Sequence, residues 1–265
     1  MSDAEQQKML RQDDWDRHWS ALNDVTELNP AQHYRHQLLV QLVRQQLEAH
    51  ASIRTVIDFG SGQGDLAQLI APVVGGRLLV GLELSRVGVE IASAKTPQAI
   101  FHQIDLVTNS PEHPELRGQG DLCLCSEVLE HLDDPCAFLR NARQYIAPDG
   151  ILIVTVPSGP MNAFEKSIGH RQHFRPDTIA QVVTSAGLRV LKVQRAGFPF
   201  FNLYKIVGYL MGNKIREGAE KSSGGGGPSG IMRLALKVFD LLFRFNLENT
   251  PFGWQLVLLA QNRPT

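Results

Sequence analysis

The chain has 265 residues, 26 basic and 27 acidic side chains, and a hydrophobic content of 43%. This length allows one large domain with a sizeable core, and three cysteines are too few for a small scaffold held together by disulfides. Because the formal charge is only −1, the chain lacks the positive field that draws proteins to phosphate backbones, and we expect no nucleic-acid partner.

The start of the chain is polar and acidic over residues 1–20, without the basic and apolar pattern of a secretory signal. Charged residues interrupt the two most apolar segments before either reaches the roughly 20 residues that cross a bilayer. They are Lys205 in the first segment and Arg233, Lys237, Asp240 and Arg244 in the second. We therefore predict a cytoplasmic protein.

Short runs rich in Val, Ile and Leu alternate with helical patterns, which indicates βαβ units and a parallel sheet covered on both faces. The predicted strands are Ile53–Phe59, Leu78–Leu84, Ile100–Asp105, Asp121–Ser126, Ile151–Val156, Leu188–Val193 and Trp254–Ala260. The predicted helices are Ala31–Ala49, Asp65–Val74, Arg86–Lys95, Pro135–Ile146 and Pro176–Ala186. Residues 197–251 interrupt this alternation, and we interpret them as an insertion.

A glycine-rich turn, DFGSGQGD at 58–65, follows the first predicted strand and precedes a helical pattern. Glycines let a ligand touch the backbone, and a helix start offers unpaired N–H groups to an anion. The turn lacks the third small residue of the dinucleotide fingerprint, which disfavours NAD, and no P-loop Lys-Ser or Lys-Thr pair follows it. Glu83 ends the second strand, where a carboxylate accepts hydrogen bonds from ribose hydroxyls. We expect a nucleoside cofactor without a 2′-phosphate.

Five blocks then follow one another in a recognisable order: DFGSGQGD at 58–65, GLELS at 81–85, QID at 103–105, SEVLEHLDDP at 126–135 and APDGILIVTVP at 147–157. Together they resemble the class I S-adenosylmethionine-dependent methyltransferases, and especially the small-molecule O-methyltransferases that include the ubiquinone-pathway enzymes. The resemblance covers about residues 50–195, and the final GWQLVLLAQ is similar to the seventh strand of that fold. It implies a Rossmann-like, doubly wound α/β sheet with strand order 3-2-1-4-5-7-6 and an antiparallel seventh strand.

With that fold, the chain divides into N-terminal lid helices over 1–50, a cofactor-binding core over 51–196, a helical insertion over 197–251 and a final strand over 252–265. The Gly/Ser-rich stretch KSSGGGGPSG within the insertion is typical of a flexible tether. Three interpretations of the insertion stay open: a cap over the pocket, a homodimer surface, and a membrane-surface contact through 198–245. Seven basic against four acidic side chains suit an anionic lipid surface.

The resemblance implies that S-adenosylmethionine is the cofactor. The glycine turn would surround its methionine part, Glu83 its ribose and Asp105 its adenine amine, while the backbone near Ser126 would support its amino group. Tyr34 and Arg35 resemble an element that meets its carboxylate. The full predicted cofactor-binding set is Tyr34, Arg35, Asp58, Gly60, Ser61, Gly62, Gly64, Glu83, Leu84, Asp105, Leu106 and Ser126.

The predicted catalytic residues are His131, His170 and His173. With a pKa near neutrality, His131 could take a proton from an acceptor hydroxyl, or it could only order the site. The segment GHRQHFRP at 169–176 resembles a GHxRxF-type segment after strand five, and its imidazole and guanidinium groups suit an anionic or hydroxyl-rich acceptor. We therefore predict methyl transfer to a hydroxyl of a sugar, quinone or lipid-linked intermediate. An N-methyltransferase and a cofactor-binding partner protein without turnover are the alternatives.

No metal requirement is predicted from the sequence. The three cysteines lack the paired spacing of a zinc site and are interpreted as small buried hydrophobes. The carboxylates that follow the fourth strand are interpreted as a solvated helix end. These are Glu127, Glu130, Asp133 and Asp134.

Overall fold

A computed structural model describes residues 15–22, 29–108, 113–162, 165–166, 168–209 and 230–263. Its strands are β1 (Thr55–Phe59), β2 (Leu78–Glu83), β3 (Ile100–Gln103), β4 (Gly120–Ser126), β5 (Ile146–Pro157), β6 (Arg189–Ala196) and β7 (Gln255–Gln261). Its helices are α1 (Trp15–Leu22), α2 (Pro30–Ala49), α3 (Asp65–Val74), α4 (Arg86–Lys95), α5 (Pro135–Arg143), α6 (Pro176–Ser185), α7 (200–209) and α8 (Gly230–Leu242).

The seven strands form one sheet in the order β3-β2-β1-β4-β5-β7-β6, and β7 runs antiparallel to both of its neighbours. This confirms the predicted fold. The sheet is covered on both faces because successive residues of a strand point to opposite sides: Val56 belongs to one buried apolar cluster and Ile57 to the other. The order reverses between β1 and β4, where open α/β sheets form a ligand crevice at their carboxyl ends.

The largest boundary difference from the sequence prediction lies between α5 and β5. Helix α5 ends at Arg143, and β5 begins at Ile146, five residues earlier than expected. Ile146 pairs with Gly120 of β4, and the register shifts before the next pair, Leu122 with Ile151. The backbones approach closely here, since a Cβ on Gly150 would lie 2.6 Å from the Gly120 carbonyl oxygen. Tertiary pairing therefore converts the predicted helix end and turn into strand.

The described parts of the insertion are mainly helical, and they pack against the N-terminal helix α2. Tyr34 of α2 packs against Phe201 and Phe243, with ring centroids 5.5 and 5.6 Å away. Most of the Gly/Ser-rich tether lies outside the described residues. Among the helices that are described, none combines the length and the apolar character needed to span a membrane.

Candidate active site

A cleft opens at the carboxyl ends of the strands beside the reversal point, with about 590 Å³ of space outside the protein atoms, open solvent included. Six of the predicted site residues line it: Gly60, Glu83, Leu84, Asp105, Leu106 and His131.

The glycine turn has the conformation that only glycine adopts readily. Gly60 and Gly62 have φ values of +72° and +54°. A Cβ on Gly62 would lie 2.8 Å from the Trp19 ring, and one on Gly60 would lie 2.5 Å from Val128. The turn also orients Glu83, because the Gly62 N–H donates to its Oε2 at 2.8 Å. Local sequence therefore explains both the bend and the position of the carboxylate.

Two carboxyl groups are buried at this point. Burial, followed by the nearby Glu83, raises the pKa of Asp58 to about 7. Burial also raises the pKa of Glu83, although backbone N–H groups of Ser85 and Gly62 oppose this effect. A positively charged ligand placed here would favour the ionised form of both groups.

The remainder of this half of the cleft is apolar, with Leu84, Leu106 and Phe138 on its walls. Asp105 accepts hydrogen bonds from the Val107 N–H at 2.8 Å and the Thr108 hydroxyl at 3.0 Å, so its own loop holds it in place. An apolar slot between two carboxylates fits an adenosyl group: Glu83 suits the ribose hydroxyls and the slot suits the base.

Helix α1 covers part of the cleft. Trp15 and Trp19 both line the cleft, and their rings stack at a centroid distance of 6.1 Å. Asp16 ties the helix to the start of α4 by accepting from the Ser85 hydroxyl at 2.5 Å and the Val87 N–H at 3.2 Å. The spacing of four between the two tryptophans is the sequence signal that puts them on one helical face.

The three predicted histidines form a row that begins at the cleft: His131 lines it, and His170 and His173 follow behind His131. The ring centroid of His131 lies 5.0 Å from that of Trp15 and 4.7 Å from that of His170. Nδ1 of His170 lies 3.1 Å from Nε2 of His173, whose Nδ1 lies 3.1 Å from the Gly159 carbonyl oxygen. Burial lowers the pKa of His131 to about 4 and that of His170 to about 2, so both rings are neutral at pH 7.

Two glutamates, Glu127 and Glu130, lie near the histidines in the turn after β4. Glu127, at a φ of +55°, accepts from Gln255 Nε2 at 2.7 Å and pairs with Arg35 Nε at 3.4 Å. Arg35 thus contacts a carboxylate of this chain at the rim of the cleft. Glu130 is fully buried, so the interpretation of this turn as a solvated helix end is wrong for that residue. A sequence pattern of acidic residues does not reveal which of them points inwards.

The remaining predicted residues surround the cleft without lining it. The Ser126 hydroxyl lies 2.9 Å from the Thr155 hydroxyl at the end of β4. Ser61 and Gly64 lie inside the glycine turn, where the Gly64 N–H donates to the Ser61 carbonyl at 3.0 Å. Tyr34 belongs to the aromatic cluster under α7 and α8. The roles of these residues stay predictions.

The fold and the cleft define a Rossmann-like α/β protein with a site for a nucleoside cofactor. A family model described as "Methyltransferase domain" matches residues 31–193, more than half of the chain. The chain therefore belongs to the methyltransferase-domain family, and the fold confirms its assignment to the class I S-adenosylmethionine-dependent methyltransferases, whose cofactor is S-adenosylmethionine.

Among known relatives, trans-aconitate 2-methyltransferase of Methylobacterium radiotolerans is 34% identical over 44% of this chain and 42% of its own length. Ubiquinone biosynthesis O-methyltransferase of Coxiella burnetii is 24% identical over 52% of this chain and 64% of its own. Among solved structures, the chain is similar to Haemonchus contortus phosphoethanolamine N-methyltransferase 2 in complex with S-adenosyl-L-methionine, with a TM-score of 0.50. The match is 16% identical in sequence and covers 80% of this chain and 49% of that chain. The chain thus spans roughly half the length of the curated relatives, and the named acceptors differ.

Proposed function

We propose that the protein transfers the methyl group of S-adenosylmethionine to a hydroxyl group of a small-molecule acceptor. The observation that supports this most directly is that Glu83 and His131 line the same cleft. Glu83 is the carboxylate suited to a cofactor ribose, and His131 is a neutral imidazole on the wall of the same cleft.

The cofactor supplies an activated methyl group on a sulfonium, so much of the remaining barrier is a matter of placement. The glycine turn and Glu83 would hold the donor, while α1 excludes water from above through Trp15 and Trp19. His131 would accept the acceptor proton on the other side. A hydroxyl acceptor is proposed because the loop beyond His131 carries His170, Arg171 and His173, groups that hydrogen-bond to oxygen.

The acceptor class is tested with radiolabelled donor and a panel of sugars, catechols or quinols, lipid-linked intermediates and primary amines. We expect label in at least one hydroxyl compound, with a product mass shift of one methyl group. Label only in the amines would establish N-methylation and overturn the hydroxyl assignment. Binding of S-adenosylhomocysteine with no label in any compound would favour a cofactor-binding protein without turnover.

The role of His131 is tested by His131→Ala. Loss of a general base lowers turnover by about 10²–10⁴-fold, whereas a residue outside the donor site leaves S-adenosylhomocysteine affinity unchanged. We therefore expect kcat to fall at least 100-fold and the dissociation constant of the analogue to stay within about threefold. The control is His50→Ala, at the exposed end of α2. Loss of analogue binding in His131→Ala, with binding retained in Glu83→Ala, would contradict both assignments.

We further propose that the insertion contacts a lipid surface that presents the acceptor. Leu234, Leu241 and Phe245 expose 64%, 55% and 66% of their surfaces. Exposed apolar side chains beside basic ones are typical of interfacial helices. In liposome flotation with anionic vesicles, the full chain should be recovered in the lipid fraction. The double variant Leu234→Asp/Leu241→Asp should remain in the lipid-free fraction. Leu69→Asp, at another exposed helical position, is the control. Self-association of the full chain in sizing experiments, without flotation, would instead support the homodimer.

A further inference from the structure

A buried ion pair joins the insertion to the loop that carries His170 and His173. Nζ of Lys205, in α7, lies 2.6 Å from Oε1 of Glu165, and only 14% and 7% of the two side chains are exposed. The same Nζ lies 5.8 Å from the centre of the buried Phe201 ring. Removing two charges from water costs about as much free energy as their attraction returns, so this pair suits a role in fixing geometry more than in stabilising the fold.

The loop holds the Glu165 carboxylate in one orientation. Oε2 of Glu165 accepts from the Asn162 N–H at 2.8 Å, and Oδ1 of Asn162 accepts in return from the Glu165 N–H at 2.7 Å. The backbone carbonyl of Glu165 accepts from the His170 N–H at 3.0 Å. Helix α7 contacts the same loop a second time, because the Tyr209 hydroxyl donates to the Pro160 carbonyl at 2.5 Å. The insertion and this loop are therefore directly connected.

Glu165 also lies next to the histidine row formed by His131, His170 and His173. Its Oε2 is 3.8 Å from Nε2 of His173, beyond hydrogen-bond distance. Burial lowers the pKa of His173, so its ring is neutral at pH 7 and carries one proton. That proton is on Nδ1, because Nδ1 lies 3.1 Å from the Gly159 carbonyl, which can only accept. Nε2 of His173 therefore accepts from Nδ1 of His170 at 3.1 Å, and the His170 ring packs edge to face with that of His131.

Lys205 and His173 are alternative partners for the charge of Glu165. A buried carboxylate without a cation is unfavourable, so loss of Lys205 would favour any neighbouring group that can donate a proton to it. His173 is such a group. A proton on its Nε2 would form a hydrogen bond to Glu165 and would remove the acceptor that His170 uses.

We propose that Lys205 is a positioning residue for methyl transfer. By neutralising Glu165 it leaves Nε2 of His173 able to accept from His170, and it thereby orders the histidine row behind His131. The insertion thus contributes a side chain that acts on the candidate active site through the loop. This role rests on the proposed function, since it assigns a partner to the histidines of that site.

The proton position is tested on the full chain at pH 7 by NMR of ¹⁵N-labelled histidine, which distinguishes protonated from unprotonated ring nitrogens. The signals of His173 are identified by their absence from His173→Gln. We expect an unprotonated Nε2 in the unaltered chain and in Lys205→Arg, and a protonated Nε2 in Lys205→Met. The control is Lys237→Met, which removes an exposed lysine of α8. An unprotonated Nε2 in folded Lys205→Met would overturn the proposal.

A double variant tests the cause, and it also covers the case in which Lys205→Met does not fold. Lys205→Met/Glu165→Gln removes both charges, so Nε2 of His173 should again be unprotonated. The midpoint of thermal unfolding should be higher than that of Lys205→Met, because no unpaired charge stays buried. A protonated Nε2 in the double variant would show that Glu165 is not the cause and would overturn the proposal.

The NMR measurements need neither donor nor acceptor, so their failure leaves the methyl-transfer proposal intact, and failure of the acceptor panel leaves the proton assignment intact. With an acceptor that the panel labels, kcat of Lys205→Met should fall by about 10–100-fold, while KM for S-adenosylmethionine stays within about threefold. Lys205→Arg should restore kcat. An unchanged kcat in Lys205→Met, despite a protonated Nε2, would overturn the positioning role.

Discussion

The two sides of the cleft are built in different ways. On the glycine-turn side, Glu83 accepts from two backbone N–H groups, those of Gly62 and Ser85, and both hydrogen bonds lie within residues 62–85. On the histidine side, Glu130 and His131 come from one turn and His170 from a distant loop, and Glu130 and His131 retain buried atoms without partners among the described residues.

This difference indicates what each side is prepared for. A carboxylate that backbone donors already orient is preorganised for neutral hydroxyl groups of a cofactor. On the histidine side, burial raises the pKa of Glu130 and lowers that of His131, so this side offers uncharged hydrogen-bonding groups to a ligand. If the glycine-turn side is preorganised, single substitutions there should weaken cofactor binding or stability, and Gly62, Glu83, Asp58 and Asp16 contribute in decreasing order.

Gly62→Val should have the largest effect. The left-handed backbone and the clash with Trp19 at 2.8 Å each cost about 1–3 kcal/mol. We expect S-adenosylhomocysteine affinity to fall by more than about 100-fold in calorimetric titrations. The control is Gly76→Ala, because a Cβ there meets no described atom within 4 Å. Near-normal affinity in Gly62→Val would mean that the turn does not contact the cofactor.

Glu83→Gln should come next, because it replaces a charged acceptor by a neutral one while keeping the shape. Hydrogen bonds to charged groups contribute about 1.5–3 kcal/mol, so affinity for S-adenosylhomocysteine should fall by about 10–100-fold. Glu90→Gln, on the exposed face of α4, controls for the loss of charge. Equal weakening in both variants would show that long-range charge, rather than ribose binding, explains the effect.

Asp58→Asn should change the pH dependence of stability. Burial raises the pKa of folded Asp58 from an ordinary value of 3.8 to about 7, so this group is most favourable to folding at low pH, where it is protonated in both states. Its contribution is lost as pH rises from about 4 to 7, by roughly 4 kcal/mol at most. Between pH 5 and pH 7.5, the free energy of unfolding in urea should therefore decrease less for Asp58→Asn than for the unaltered chain. An identical decrease in both proteins would refute the raised pKa of Asp58.

Asp16→Ala should have the smallest effect. Asp16 links α1 to Ser85 and Val87 at the surface, where hydrogen bonds contribute about 0.5–1.5 kcal/mol. Analogue affinity should fall by about two- to tenfold, mainly through faster dissociation, which stopped-flow displacement measures. The control is Ser20→Ala, which removes another exposed hydrogen bond of the same helix. An unchanged dissociation rate would indicate that α1 does not retain the cofactor.

Much of the fold could be predicted from the sequence because strand and helix periodicities are local. Helices α3 and α4 begin and end where the patterns indicate, at Asp65–Val74 and Arg86–Lys95. The boundary at Ile146 could not be predicted, since it depends on pairing with Gly120. The strand order came from the family resemblance, because periodicity alone does not specify which strands are neighbours.

The site divides in the same way. The glycine turn and Glu83 could be predicted because their geometry depends on residues close in sequence. The burial of Glu130 and the contact of Arg35 with Glu127 could not, since each depends on which face of a short turn points towards a distant helix.

The sequence by itself determined the α/β class, the glycine turn and the carboxylate that follows it, because backbone conformation and hydrophobic periodicity act over a few residues. Only the tertiary structure decided which acidic and imidazole groups share a buried space. Burial and electrostatic pairing depend on the distances between segments that are remote in the chain, and those distances exist only once the sheet, α2 and the loop around His170 have packed together.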